Sequence, residues 1–209
     1  MKVDHTKILG NLYNQSKKEI SLVEVPPLNF LTIQGSGSPN QNQAYSDAVG
    51  ALYAIAYKIK FSIKNGPLKL DYKVMPLEGL WWAEDMREFN LDERNNWLWQ
   101  MMILQPQEVT QANFEEAVEE VRRKKNPPRL DEVKFESFHE GTCAQVFHAG
   151  PYGEAEAPSI ERLHAFIHAN GYELAGRHHE IYFNSPLRSA PEKLKTIIRQ
   201  PVHKAAGND

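Results

Sequence analysis

The 209-residue chain has little cysteine and no long apolar run. Its single cysteine, Cys143, excludes an internal disulfide and a zinc site built from several cysteines. No stretch reaches the roughly 18 consecutive apolar residues that a membrane-spanning helix needs. The first five residues, Met1 to His5, lack the apolar segment of a signal peptide. These absences predict a cytoplasmic protein without a membrane partner.

Charge of one sign is not in excess either. The 24 Lys and Arg residues are nearly balanced by 27 Asp and Glu residues, for a formal net charge of −3. A chain with this balance has no general attraction to nucleic acid, so we expect no direct nucleic-acid partner. Gly35-Ser36-Gly37 lacks the Lys-Ser/Thr of a phosphate-binding loop and the third glycine of a dinucleotide motif. We therefore expect no cofactor.

A metal site is not expected. His164 and His168 have the i, i+4 spacing of a zinc-binding helix, but no glutamate follows His164. Ile167 places part of that helix face in the core. A surface or hydrogen-bonded histidine pair is therefore the favoured interpretation.

The chain does contain a repeated order of elements: strand, helix, strand, strand. Helices are predicted over 39–65, with Ser38 as cap and Pro39 in the first position, and over 110–125 and 158–169. Strands are predicted over 20–25, 30–34, 68–74, 78–82, 95–104, 133–138, 143–148, 172–183 and 194–199. The pattern predicts an α/β (α+β) fold of two duplicated βαββ modules, about 20–126 and 127–205, after an N-terminal arm over 1–19. Pro127-Pro128 marks the boundary between the modules.

The strand around Glu180 carries the main candidate site. Period-two alternation assigns its residues to two faces, His178, Glu180 and Tyr182 on one and His179, Ile181 and Phe183 on the other. Ile181 and Phe183 suit a face packed on helices. Glu180 then either faces solvent on an ordinary strand or lies in a partly apolar groove. In a groove it attracts cations, or its pKa is raised enough for it to act as a base.

Glu78 occupies a similar setting on the strand over 78–82. Leu80 and Trp82 share its face, and Trp81 points the other way. The two tryptophans are either core residues or part of an aromatic cage, since indole faces beside a carboxylate suit a lipophilic cation. Tyr152, in a Pro-Tyr-Gly turn after a strand, is either a turn residue or a phenol at the mouth of a groove.

Three segments together resemble the GyrI-like family of small-molecule-binding proteins, named after a DNA gyrase inhibitor. They are Val74 to Trp82, Ala149-Gly150-Pro151-Tyr152 and Glu180-Ile181-Tyr182. The resemblance covers nearly the whole chain after the arm. It implies a single GyrI-like domain over 20–205, whose two βαββ modules are related by a pseudo-twofold axis with a ligand groove between them. By motif position the glutamate of that groove is Glu180, followed by Tyr182.

The resemblance also implies a function. It indicates a protein that binds flat, lipophilic or cationic aromatic small molecules, with a role in multidrug binding and xenobiotic detoxification. The Leu-Glu-Gly-Leu-Trp-Trp segment at 77–82 resembles a stand-alone branch that hydrolyses cyclopropane-bearing, DNA-alkylating natural products. The expected catalytic residues are Glu180 and Tyr152. The expected ligand contacts are Glu78, Trp81, Trp82, Tyr182, Glu180 and His178.

Two alternatives to a hydrolase remain at this point. One is a non-catalytic multidrug-binding or sequestering protein, which uses the same pocket without turnover. The other is an interaction protein that modulates gyrase, suggested only by the family name. The residues before 20 cannot hold a DNA-binding domain, so a role as a transcription factor is not expected. A monomer and a homodimer are both compatible with the sequence.

Overall fold

The computed structural model describes residues 2–40, 42–84 and 96–206, and within these ranges it contains four helices and nine strands. The helices are α1 (His5–Ile8), α2 (Gln43–Asn65), α3 (Gln111–Lys124) and α4 (Ala157–Ala169). The strands are β1 (Ser21–Val25), β2 (Leu28–Ser36), β3 (Leu77–Trp82), β4 (Leu98–Leu104), β5 (Lys134–Phe138), β6 (Gly141–Ala149), β7 (Tyr172–Leu174), β8 (His178–Tyr182) and β9 (Lys195–Lys204). The predicted α+β class is confirmed.

The strands form one antiparallel sheet that is symmetric about its centre. Their order is β1-β6-β9-β8-β3-β4-β2-β5, and β7 pairs with β9 outside this order. Each half of the sheet contains one βαββ unit, β2-α2-β3-β4 or β6-α4-β8-β9. The pair β8–β3 joins the two units at the centre. This is the pseudo-twofold arrangement that the resemblance implied.

The outermost strand on each side comes from the other half of the chain. β1 precedes the first unit but pairs with β6 of the second, starting at Ser21 opposite Gln145. β5 follows the first unit and pairs back with β2, where Leu28 is opposite Phe138. Each of these two strands, which lie outside the βαββ units, therefore completes the edge of the unit in the other half of the chain. The module boundary at Pro127-Pro128 stays a prediction.

Helices α2 and α4 pack on the same face of the sheet. Tyr45 of α2 stacks on Trp81 of β3, with ring centroids 6.3 Å apart. Leu163 of α4 packs against Ile198 of β9 in a buried apolar cluster. Ile198 is the partner of Glu180 across β8 and β9, so both helices flank the face that carries Glu180. Because α2 lies mainly on β2 and β4, and α4 mainly on β6, β7 and β9, the central strands β3 and β8 run between them. We call this space the groove.

The N-terminal arm covers part of the opposite face. Tyr13 is buried there, and its hydroxyl donates a hydrogen bond to Glu78. Ile181 belongs to this face because it pairs with Glu78 across β3 and β8. The prediction that Ile181 and Phe183 face the helices is therefore wrong, since α2 and α4 lie on the other side of the sheet.

Helix α2 starts later than the sequence predicted. It begins at Gln43 because the side chain of Asn42 accepts a hydrogen bond from the backbone N–H of Tyr45, which caps the first turn. Ser38 and Pro39 precede the helix instead of capping and opening it. Helix α3 agrees with prediction, because Thr110 forms a capping box at its start.

Two predicted strands are interrupted by left-handed residues. Residues 68–74, all within the described ranges, contribute one isolated bridge between Tyr72 and Val3, and Lys69 near the start of this segment has a φ of +50°. The predicted strand over 172–183 divides into β7 and β8, and Gly176, with a φ of +59°, lies between them. The predicted start of β4 at residue 95 lies outside the described residues. Among the described helices, none has the length and apolar character needed to cross a membrane.

Candidate functional site

The pairing of β3 with β8 decides which side chains lie beside Glu180. Gly79 is directly opposite Glu180, and Trp81 is opposite His178. A side chain at Gly79 would collide with its neighbours, because a Cβ there would lie 2.8 Å from Trp81 Nε1 and 3.2 Å from Met101 Sδ. The glycine thus lets the indole of Trp81 approach the strand next to the carboxylate.

Two polar side chains hold the carboxylate of Glu180, a residue that is only 7% exposed. His178 Nε2 lies 3.0 Å from Oε1 of Glu180, a contact that requires the tautomer with a proton on Nε2. The hydroxyl of Tyr182 also hydrogen-bonds to Glu180. That hydroxyl accepts a hydrogen bond of 2.9 Å from Trp81 Nε1. The chain Trp81–Tyr182–Glu180–His178 therefore fixes the carboxylate within the groove.

Tyrosine rings surround this carboxylate. Tyr152 contacts Tyr182 edge-on, with centroids 5.3 Å apart, and Tyr45 stacks on Trp81 from α2. Burial, with further contributions from Glu156 and Glu180, raises the pKa of Tyr152 to about 12. Burial and then Glu180 raise the pKa of both Tyr45 and Tyr182. All three phenols are therefore neutral hydrogen-bond donors at physiological pH.

This arrangement suits a flat organic cation. The three tyrosines are partly exposed, whereas Trp81 and Glu180 are buried, so a ligand meets aromatic rings first and the carboxylate last. Aromatic faces attract a delocalised cation, and a carboxylate removed from water attracts it more strongly than an exposed one does. Within the described residues, no group of three or more His, Cys, Asp or Glu side chains is arranged to hold a metal ion.

Most of the predicted site residues come together. Glu180 shares the groove with His178, Tyr182, Trp81 and Tyr152. Sequence reasoning missed Tyr45, because its spacing fitted the apolar stripe of α2. The available signal was a phenol at the start of a helix whose later inward residues are aliphatic.

Glu78 and Trp82 do not belong to the groove, and their predicted ligand contacts are corrected here. Gly79, not Glu78, is the partner of Glu180, so alternation directs Glu78 and Trp82 to the opposite face of the sheet. Glu78 is fully buried there. Trp82 lies on that face under a guanidinium, with Arg177 Cζ 3.6 Å from its ring centroid.

Glu78 instead belongs to a buried network of four charges. Tyr13 donates to Glu78 Oε1 at 2.7 Å, and His179 Nε2 lies 3.0 Å from Oε2. His179 Nδ1 lies 2.9 Å from Glu140 Oε1, and Arg199 Nη1 lies 3.1 Å from Glu140 Oε2. With both ring nitrogens against carboxylates, His179 is an imidazolium. Two anions and two cations therefore balance inside the protein.

The pKa values follow from this network. Burial alone would lower the pKa of His179, but Glu140 and Glu78 outweigh it and raise the pKa to about 9. Burial alone would raise the pKa of Glu140, but His179 and Arg199 outweigh it and lower that pKa. The network also holds the arm, since Arg199 Nη2 donates to the carbonyl of Leu12 at 2.6 Å. Its role is structural, because no member is open to solvent.

The fold agrees with the comparisons to known proteins. The model of the GyrI-like small molecule binding domain matches residues 18–203. The chain belongs to the GyrI-like family. The resemblance carried by three short segments is thereby confirmed. A search of curated proteins found no match.

Solved structures from Listeria innocua are similar over nearly the whole GyrI-like chain. An uncharacterized conserved protein is 38% identical, with a TM-score of 0.89, covering 97% of this chain and 100% of the other. A protein described as a hydrolase is 38% identical, with a TM-score of 0.87 and the same coverage. Another structure described as a hydrolase is 36% identical, with a TM-score of 0.84, again covering 97% of this chain and 100% of the other.

Proposed function

We propose that this GyrI-like protein binds flat, lipophilic cations in the groove, with Glu180 as the counter-ion. The observation that carries the proposal is the position of the Glu180 carboxylate, buried beside Trp81 and ringed by Tyr45, Tyr152 and Tyr182. A neutral aromatic ligand would gain only ring stacking there. A cation gains the same stacking together with cation–π attraction. It also forms an ion pair with a carboxylate that is shielded from water, where the dielectric constant is low.

The charge of the ligand should therefore decide affinity. N-methylacridinium and acridine have nearly the same flat shape, and above the pKa of acridine only the first is charged. We expect N-methylacridinium to bind at least about tenfold more tightly, which corresponds to about 1.4 kcal/mol. Fluorescence titration of the same protein with both compounds measures the ratio. Equal affinities would show that the carboxylate does not recognise the ligand.

A second proposed activity is hydrolysis of cyclopropane-bearing alkylating compounds. It is favoured by the two similar Listeria innocua structures described as hydrolases. The groove also places a carboxylate beside neutral phenols, of which Tyr152 has its pKa raised to about 12. A base and a proton donor are the two groups that opening of a strained ring by water requires.

The proposed reaction adds one water molecule to the substrate. Glu180 takes a proton from water as the water oxygen attacks a cyclopropane carbon. A C–O bond forms, the strained C–C bond breaks, and its electron pair moves into a conjugated carbonyl. Tyr152 gives its phenolic proton to the carbonyl oxygen, where negative charge develops. The proton on Glu180 then returns to the phenolate, so both residues are restored.

Turnover distinguishes the hydrolase from a binder. A spirocyclopropyl cyclohexadienone incubated with the protein should give many equivalents of its water adduct per protein molecule. Tyr152→Phe should lower kcat by about a hundredfold, the usual effect of removing one donor to a developing oxyanion. It should leave binding of N-methylacridinium nearly unchanged. The exposed Tyr57→Phe is the matched control. Loss of only one equivalent of substrate would contradict catalysis while leaving the binding proposal intact.

A further inference from the structure

A second concave site lies on the face of the sheet opposite the groove. A cleft of about 760 Å³ runs between the arm segment from Tyr13 to Lys17 and the connection that links β8 to β9. Phe147 of β6 and Ile197 of β9, which pair with each other, form its floor. The volume lies within the roughly 300–1,000 Å³ typical of small-molecule sites. We call this site the cleft.

The lining of the cleft is apolar below and cationic around the rim. Its charged lining residues are three lysines and one glutamate, an excess of two positive charges: Lys17, Lys193, Lys195 and Glu192. Lys17 Nζ lies 6.0 Å from the ring centroid of Phe147, so a cation and an apolar surface are within reach of one small molecule. Phe183 adds a second aromatic ring to the lining. This character is opposite to that of the groove, where a carboxylate lies among rings.

We propose that the cleft binds an anion with an apolar body, such as an aryl carboxylate. The body covers Phe147 and Ile197, and the carboxylate meets the lysines of the rim. The protein thus has two ligand sites on opposite faces of one sheet, which select ligands of opposite charge.

One residue connects the cleft with the groove. The backbone carbonyl of Asn184 accepts a hydrogen bond of 3.2 Å from the hydroxyl of Tyr152. The side chain of Asn184, which lines the cleft, donates to the carbonyl of Lys193 at 2.9 Å and accepts from the backbone N–H of Lys195 at 2.9 Å. We therefore expect an anion held by these lysines to act on the segment that positions Tyr152, and so to change the affinity of the groove for its ligand.

Titration with naphthoate tests the cleft. We expect naphthoate to bind more tightly than uncharged naphthylmethanol. The double variant Lys193→Gln, Lys195→Gln should weaken naphthoate binding at least tenfold, because it removes two of the three positive charges of the cleft. Both side chains are exposed, and the substitutions leave the backbone hydrogen bonds to Asn184 in place. Lys204→Gln, an exposed lysine of the same strand as Lys195, is the matched control and should change nothing. Saturating naphthoate should also shift the affinity for N-methylacridinium at least twofold.

Two results would overturn the proposal. One is the failure of naphthoate to bind, or equal affinity of naphthoate for the double variant and the wild type. The other is simple competition between naphthoate and N-methylacridinium, which would place both ligands in the groove. Glu180→Gln separates this proposal from the function proposed above, because it should leave naphthoate binding unchanged.

Discussion

Replacing Glu180 with Gln is expected to lower the affinity for N-methylacridinium by about thirtyfold to a hundredfold and to leave the affinity for acridine nearly unchanged. The amide keeps the size of the side chain and an oxygen acceptor, so the aromatic rings of the groove stay in place. It removes the negative charge, and the loss of one charge from a buried pair costs about 2–3 kcal/mol of binding free energy. Isothermal titration calorimetry of both ligands on both proteins gives the four affinities.

The control for this experiment is Glu161→Gln on the exposed surface of α4. It makes the same chemical change outside the groove and should leave both affinities unchanged. A similar loss of affinity for the cation in Glu161→Gln would indicate that net charge, and not the groove, attracts the ligand. An equal loss for the cation and for acridine in Glu180→Gln would indicate a distorted pocket.

Replacing His179 with Gln is expected to reduce the free energy of unfolding by about 3–5 kcal/mol. The substitution leaves the carboxylates of Glu78 and Glu140 buried, with Arg199 as the one remaining cation of the network. Removing one partner from a buried set of charges has a cost of this size because the others cannot be resolvated. For a protein of this size the melting temperature should fall by roughly 6–15 °C. Differential scanning calorimetry measures the change.

The same residue predicts how stability depends on pH. The pKa of His179 is about 9 in the folded protein and about 6.5 in an unfolded chain. Its contribution is therefore fully present below about pH 6.5 and is lost as the pH rises through about 9. The pKa of Glu140 is lowered by folding, so its contribution is present above about pH 4.3 and is lost on acidification. The free energy of unfolding should therefore be highest between about pH 4.3 and pH 6.5, where both contributions are present.

His203→Gln is the matched control for the stability experiment. His203 also lies near a carboxylate, with Nε2 3.2 Å from Glu173 Oε2, but both side chains are more than half exposed. An exposed pair contributes little, so this variant should melt like the wild type. His179→Gln should lose much of the alkaline decline in stability that the wild type shows. An unchanged decline would mean that His179 is not the group that titrates.

The side chains on the two faces of β8 belong to different sites, the groove on one face and the buried charge network on the other. His178 and Glu180 point into the groove, and His179 between them anchors the charge network on the other side. Because His179 is held by carboxylates of two other segments, β8 cannot slide or twist without breaking buried ion pairs. The network thus fixes the strand that carries Glu180. For the proposed cation site, a strand fixed in advance reduces the entropic cost of ordering on binding.

Local sequence patterns were sufficient for some of this architecture. Period-two alternation correctly placed His178, Glu180 and Tyr182 on one face. The helices predicted to end at residues 65 and 169 do end there, as α2 and α4. Such features depend on neighbours in the sequence. Glu78 was misplaced because its relation to Glu180 depends on the register between strands about a hundred residues apart. A shift of one residue in the pairing of β3 with β8 would move Glu78 to the same face of the sheet as Glu180.

The remaining features depend on contacts that no local pattern encodes. Glu140 and Arg199 join the network from different parts of the chain, and neither stands out by spacing. The pairing of β1 with β6 and of β5 with β2 follows from the arrangement of the whole sheet. The cleft combines arm residues with a connection near the end of the chain, such as Lys17 with Lys195. Its charge becomes visible only after folding.

A crystal structure of the protein with N-methylacridinium bound would test the central claim most directly. The proposal predicts the acridinium in the groove, with its ring nitrogen within about 6 Å of the Glu180 carboxylate and its faces against Trp81 and the tyrosines. Acridinium bound in the cleft beside Phe147, or bound in the groove with its charge directed away from Glu180, would contradict the account.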